Sequence, residues 1–130
     1  MNLESTKITL DKSSDKVYNF LTNVKNFKKI MPESINKFKL ISDYEFIFAL
    51  NGMPEISLFK KSEIPNESIT LESAGKLNFS LKVLITYLEP EKSQIQLFFS
   101  GEFNPMMAMM IKGPIEKFIE KLSSNIKKKV

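Results

Sequence analysis

NPMMAMMIKGPIEKFIEKL (residues 104–122) joins two unlike halves, and four of the chain's seven methionines fall between positions 106 and 110. Asn104-Pro105 is a helix start, a capping side chain followed by proline at the first helical position. Pro114 has no N–H and clashes with the carbonyl four residues back, which predicts a break or kink near Gly113. Beyond it Ile115, Phe118, Ile119, Leu122 and Ile126 recur at helical spacing and form one apolar stripe. Glu116 near its start and Lys127 to Lys129 at its end suit the helix dipole. A lone amphipathic helix of this kind has to bury its stripe on something.

The something lies upstream. From residue 35 to 103 the hydrophobic period is two. INKFKLI (35–41) is followed by YEFIFAL (44–50), where Tyr44, Phe46, Phe48 and Leu50 share a face. Asn51-Gly52 is a hairpin turn with Pro54 lengthening the loop, and EISLFKKS pairs back. The turn IPNE leads to SITLES, and AGK turns the chain again. The longest alternation is Leu77, Phe79, Leu81, Val83, Ile85, Tyr87; after EPEKS the last strand aligns Ile95, Leu97, Phe99, Gly101 and Phe103. Six strands joined by short turns make an antiparallel meander. Before them, STKITL (5–10) reads as a first strand. Ser13 or Ser14 then caps a helix with Val17, Phe20, Leu21 and Val24 on one face, and NFKKIMP gives a second, short helix ended by Pro32.

The predicted order is strand, two short helices, six strands, long helix. The expectation is an α+β protein, one domain over residues 1–130, with a curved seven-stranded antiparallel sheet wrapped around a long C-terminal helix.

Composition limits the chemistry. Hydrophobic residues at 42% and charged residues at 26% describe a globular chain. No Cys, His, Trp or Arg is present, so all 19 basic residues are lysines. The usual zinc, haem and iron–sulfur ligand sets are therefore excluded, as are Ser-His and Cys-His nucleophile pairs. No carboxylate-rich calcium loop appears, and we expect neither metal nor cofactor. The net charge of +4 comes from scattered lysines, apart from the run at 127–129, while the aromatics sit at strand positions. That pattern argues against nucleic acid as a partner. The first ten residues lack a signal-peptide pattern and no apolar run spans a membrane, so the expected location is the cytoplasm.

Three segments carry a family resemblance: KITLDKSSDKVYNFLTNVKNF, FKKIMPESINKFKLIS and GKLNFSLKVLITYLEPEKSQIQLFFSGEF. They resemble the opening strand and helix, the short second helix with its Pro turn, and the paired long strands of the START-like, pollen-allergen-like helix-grip superfamily (SRPBCC, polyketide cyclase/dehydrase-like). Within it the nearest similarity is to proteins like the G-type accessory chain of carbon monoxide dehydrogenase. The resemblance implies a helix-grip fold with a cavity between sheet and terminal helix, in which members hold apolar or amphipathic molecules. Its members include lipid carriers, hormone receptors, cyclases and chaperone co-factors. This chain offers no Arg, His or Trp to orient a ligand, which sets it apart from the catalytic branches.

Taken together these readings make a small hydrophobic or amphipathic ligand the expected partner, bound without catalysis. The candidate lining is Phe46, Phe48, Phe79, Val83, Tyr87, Leu97, Phe99, Met107, Met110, Ile111 and Phe118, with Tyr87 setting orientation. The methionines at 106–110 fit either an adaptable lid or irregular core filling at the Gly-Pro break. Magnitudes constrain the lining too. A void costs about 24 cal/mol per Å³, so an empty pocket of about 300 Å³ would cost about 7 kcal/mol. Small domains have only about 5–15 kcal/mol in all; a narrow or occupied pocket is expected. Lys60 and Glu102 would face inward only where a bulge shifts the register. Leu84, Leu88 and Phe98, on the opposite sheet face, are candidates for a homodimer patch. The lysine tail is a candidate contact for a membrane surface, and a docking role for that tail or the outer sheet is the alternative function. A cyclase or lyase using Tyr or Glu is the third.

Overall fold

The computed structural model describes residues 1–75 and 77–130. Eight strands form one antiparallel sheet: β1 (Asn2–Glu4), β2 (Ile8–Leu10), β3 (Ile35–Ser42), β4 (Glu45–Leu50), β5 (Ile56–Ile64), β6 (Ser68–Ala74), β7 (Phe79–Glu89) and β8 (Lys92–Gly101). Between β2 and β3 come α1 (Ser14–Thr22), a 3₁₀ turn (Val24–Asn26) and α2 (Phe27–Ile30), and α3 (Pro105–Lys129) ends the chain. The sheet order is β1-β8-β7-β6-β5-β4-β3, with β2 also paired to β8. This is the expected architecture with one correction: of the strand read at 5–10 only Ile8–Leu10 forms, and Asn2–Glu4 adds an eighth strand before it. Ser5 divides them: its hydroxyl accepts the Leu97 N–H at 2.9 Å, where a strand would offer a carbonyl.

Local chemistry sets the boundaries. Ser13 caps α1 by accepting the Lys16 N–H, and Asn104 caps α3 by accepting the Met107 N–H at 2.8 Å. The β4–β5 turn places Gly52 at φ 79°, and the IPNE turn places Asn66 at φ 63°, both left-handed positions that suit these residues. The predicted turn at 74–76 falls partly outside the described residues; of it, Gly75 has φ 121°.

The expected break at Pro114 does not occur, because α3 is one helix from Pro105 to Lys129. The carbonyl that Pro114 leaves without a partner belongs to Met110, which is exposed, so water can take the missing donor's place. Ile111, Ile115, Phe118, Ile119, Leu122 and Ile126 are all buried, and they extend the predicted stripe by one turn through the proline.

Two polar ties orient the helices. Asn125 of α3 donates to the Ile30 carbonyl at 2.9 Å, satisfying the end of α2. Lys60 sits where β5 shifts register between Lys60 and Ser62. Its ammonium donates to the Thr22 carbonyl at 3.0 Å and to the Thr22 hydroxyl at 3.1 Å, and it pairs with Glu63 at 3.2 Å. The bulge thus turns Lys60 to the C-terminus of α1, where a cation complements the last carbonyls. Glu102 stays exposed.

The sheet is open at β3. β3 ends the order, carries exposed Lys37 and Lys39, and shifts register twice against β4.

Two outcomes follow. A Cβ at Gly101 would lie 2.8 Å from the Asn78 carbonyl oxygen, from a Phe103 ring carbon and from Phe79 Cβ. Gly101→Ala should therefore destabilise the protein by about 1–3 kcal/mol, read as a lower urea midpoint. The Glu63 carboxyl is held below its ordinary value of 4.5, chiefly by the Thr22 hydroxyl and against desolvation. Its stabilising contribution is present above pH 4.5 and is lost as pH falls through the depressed value. Glu63→Gln should thus be less stable than the parent at neutral pH, with the gap closing as pH is lowered below 4.5.

Candidate ligand-binding cleft

The meander turns its alternating apolar residues toward α3, and the residues predicted to line a cleft mostly meet there. Phe46, Phe48, Phe79, Val83, Leu97, Phe99, Ile111 and Phe118 are buried in one cluster, with Met107 half-buried against it. The rings then pack on each other. Phe48 of the sheet stacks on Phe118 of α3 at a centroid distance of 5.1 Å, and Phe46 lies 5.9 Å from Phe48 and 5.4 Å from Phe27. A second group joins Phe79 to Phe99 at 4.8 Å and Phe99 to Phe103 at 6.1 Å. Rings at these separations are in contact. The centre of the cleft is side chain.

Two predicted lining residues stand elsewhere. Tyr87 is 63% exposed. It shares the inward face of β7, but the β7–β8 hairpin runs past the helices there and residues 86–91 are all exposed. Its hydroxyl therefore does not orient anything inside. Met110 is 67% exposed, on the solvent side of α3, because the uninterrupted helix carries it away from Ile111 and Ile115. On the outer face, Leu84 and Phe98 are half-buried, while Leu88 lies on the exposed hairpin end.

Open space exists at the mouth of the cleft. A groove of about 1160 Å³ runs between α3, the α2–β3 connection and the end of β4. Pro32, Leu50, Pro114 and Phe118 form its apolar surface; Ser34, Asn51, Ser124 and Asn125 add polar groups, and Lys117, Lys121, Lys128, Glu33, Glu116 and Glu120 supply charge. Leu50 and Phe118 belong to the core as well, so the groove floor is the outer skin of the ring stack. Glu120 is already engaged, accepting from the Thr6 N–H at 2.7 Å. Of these residues only Phe118 is marked as lining by the sequence pattern. Pro32, Asn51, Gly113 and Pro114 are legible there as punctuation, and turn residues are also what leaves room at an element's end.

Outside this groove a polar cluster gathers Tyr18, Thr22, Lys60 and Glu63 below α1. Burial pushes the Tyr18 hydroxyl above its ordinary value, with smaller effects from Thr22 and Glu63. The Lys60 ammonium is already shared among three oxygens, so its chemistry is that of a tether. No group of three or more Asp or Glu residues is placed to hold a metal ion among the described residues. No described helix is long and apolar enough to cross a membrane.

Solved structures share the architecture. Norcoclaurine synthase from Thalictrum flavum, in complex with dopamine and hydroxybenzaldehyde, matches with a TM-score of 0.75 at 10% identity, over 98% of this chain and 84% of that one. The chain has the helix-grip fold. A conserved protein from Geobacillus kaustophilus matches with a TM-score of 0.70 at 17% identity, over 98% and 93% of the two chains. The Aha1 dimer from Colwellia psychrerythraea gives 0.64 at 18% identity, over 98% and 96%. No family model and no curated protein matches the chain. The pollen-allergen-like resemblance is upheld at the level of fold, and none of these three neighbours bears on the likeness to carbon monoxide dehydrogenase proteins.

The ring stack yields a paired outcome. Phe118→Ala should cost about 3–5 kcal/mol, the cavity value for a buried Phe, whereas Tyr87→Phe should stay within about 0.5 kcal/mol. Chemical denaturation of the two variants checks the assignment of inside and outside.

Proposed function

We propose that this protein is a non-enzymatic helix-grip domain, spanning residues 1–130, that holds a small hydrophobic or amphipathic molecule in the groove between α3 and the end of the sheet. The observation that carries the reading is the groove itself, whose floor is made by Leu50 and Phe118, two residues of the core. A guest lying there removes apolar surface from water at about 25 cal/mol per Å² without an empty interior having to be maintained. Its polar end meets Ser34, Asn51 and Asn125 at the rim. Support by analogy comes from the norcoclaurine synthase complex, a protein of this fold with two aromatic molecules bound. We place the activity in the cytoplasm.

Catalysis is not part of the reading. The groove's ionisable groups are Lys and Glu side chains, all on exposed positions, and no buried pair faces the floor among the described residues. A homodimer through Leu84, Leu88 and Phe98 is the second reading, favoured by the exposed Leu88 and by a dimeric neighbour of the same fold.

Gly113 lines the groove and has no neighbour within 4 Å of an added Cβ. Gly113→Trp should leave folding intact and fill the groove, weakening a bound fluorescent amphiphile such as an anilinonaphthalene probe about tenfold or more. Unchanged probe affinity in a folded variant, or no probe uptake by the parent, would refute the groove as the site.

A further inference from the structure

The three methionines at the start of α3 are the most exposed large apolar side chains in the described structure: Met106 is 74% exposed, Met109 84% and Met110 67%. They share one side of the helix, and at 3.6 residues per turn that side continues through Gly113 to Lys117, Lys121, Ser124 and Lys128. Lys127 and Lys129 follow at the end. None of these lysines is held in a salt bridge among the described residues. One carboxylate, Glu120, lies within the stripe and is bonded to Thr6, and a second, Glu116, lies at its margin.

The surroundings enlarge the apolar end. Strands β3 to β8 alternate in direction, so the β4–β5 turn, the β6–β7 turn and the β8–α3 junction lie at the same end of the sheet as the first turn of α3. Met53, Leu77 and Phe103, each half-buried, come from those connections.

We infer that this face of α3 docks on an anionic lipid surface, with Met106, Met109 and Met110 entering the acyl boundary and Lys117, Lys121 and the 127–129 run meeting the headgroups. Area separates this partner from a protein. A stable protein contact takes about 800 Å² from each side, whereas three methionine side chains provide roughly 200–350 Å² by the equivalent of a buried side chain. Shallow insertion needs no more than a few apolar side chains when basic residues act with them. Charge complementarity supplies the second half: the chain is net +4, and its free lysines continue the methionine stripe over about 33 Å of helix, taking 1.5 Å per residue. Unbranched methionine suits a fluid boundary that offers no fixed holes.

Sedimentation of the full chain with vesicles tests this. Binding is expected to vesicles of phosphatidylcholine with about one third phosphatidylserine, and to be about tenfold weaker without the anionic lipid. It should fall further as salt is raised. Met109→Asp, at a position exposed enough to leave the fold unchanged by circular dichroism, should lower binding about tenfold, and Lys117→Gln with Lys121→Gln should lower it severalfold. Absence of binding to anionic vesicles at low salt overturns the proposal, as does binding that Met109→Asp leaves untouched. A parent that is dimeric in solution and is made monomeric by Met109→Asp would overturn it in favour of a second copy.

Discussion

The contact of Phe48 with Phe118 decides how this protein is closed. One ring comes from the sheet and the other from α3, and they face each other nearly parallel, at an interplanar angle of 12°. A second ring group, Phe79 with Phe99 and Phe103, packs apart from that stack. Phe46 and Phe27 extend the Phe48–Phe118 stack toward α2, where Asn125 ties the helix down, and Leu50 extends it to the groove. A fold that closes a sheet over a helix can either keep a chamber or fill it. Here aromatic rings meet across it, and the groove lies at the rim.

The filled interior changes what a ligand would have to do. A preformed void costs stability in proportion to its volume, whereas a groove floored by core residues costs little until something sits in it. Entry past the rim would require Phe118 to move, and Phe118 sits on the same helix as the groove's lysines. Lys60 and Glu63 add rigidity on the far side, where the bulge in β5 holds the end of α1.

Much of this was legible in the sequence, for identifiable reasons. The period-two runs placed β3 to β8 because most of these strands bury one face and expose the other, clearest in β7 and β8, and the turns between them carry Gly52 and Asn66 in left-handed backbone. The capping residues Ser13 and Asn104 marked both long helix starts. Pro114 did not end the helix: a proline inside a helix costs one donor, and α3 continues through it while the residue whose carbonyl loses its partner, Met110, is exposed. Tyr87 misled: alternation tells which face a residue is on, and says nothing about whether a helix extends far enough to cover it. The groove was the least legible feature. It arises where the ends of α2 and β4 meet the middle of α3, three segments distant in sequence, and no local pattern records that meeting.

The free edge strand carries a consequence of its own. β3 presents unpaired backbone groups along eight residues, with Leu40 and Ile41 partly bare beside them. Such a rim would ordinarily recruit further chains and grow into fibrils. The charge of Lys39 and two departures from regular pairing spoil the template, while Lys37 is paired with Glu55 at 3.0 Å. Among the described residues no strand covers that flank, so what discourages another strand from adding there is the Lys39 charge and a crooked backbone.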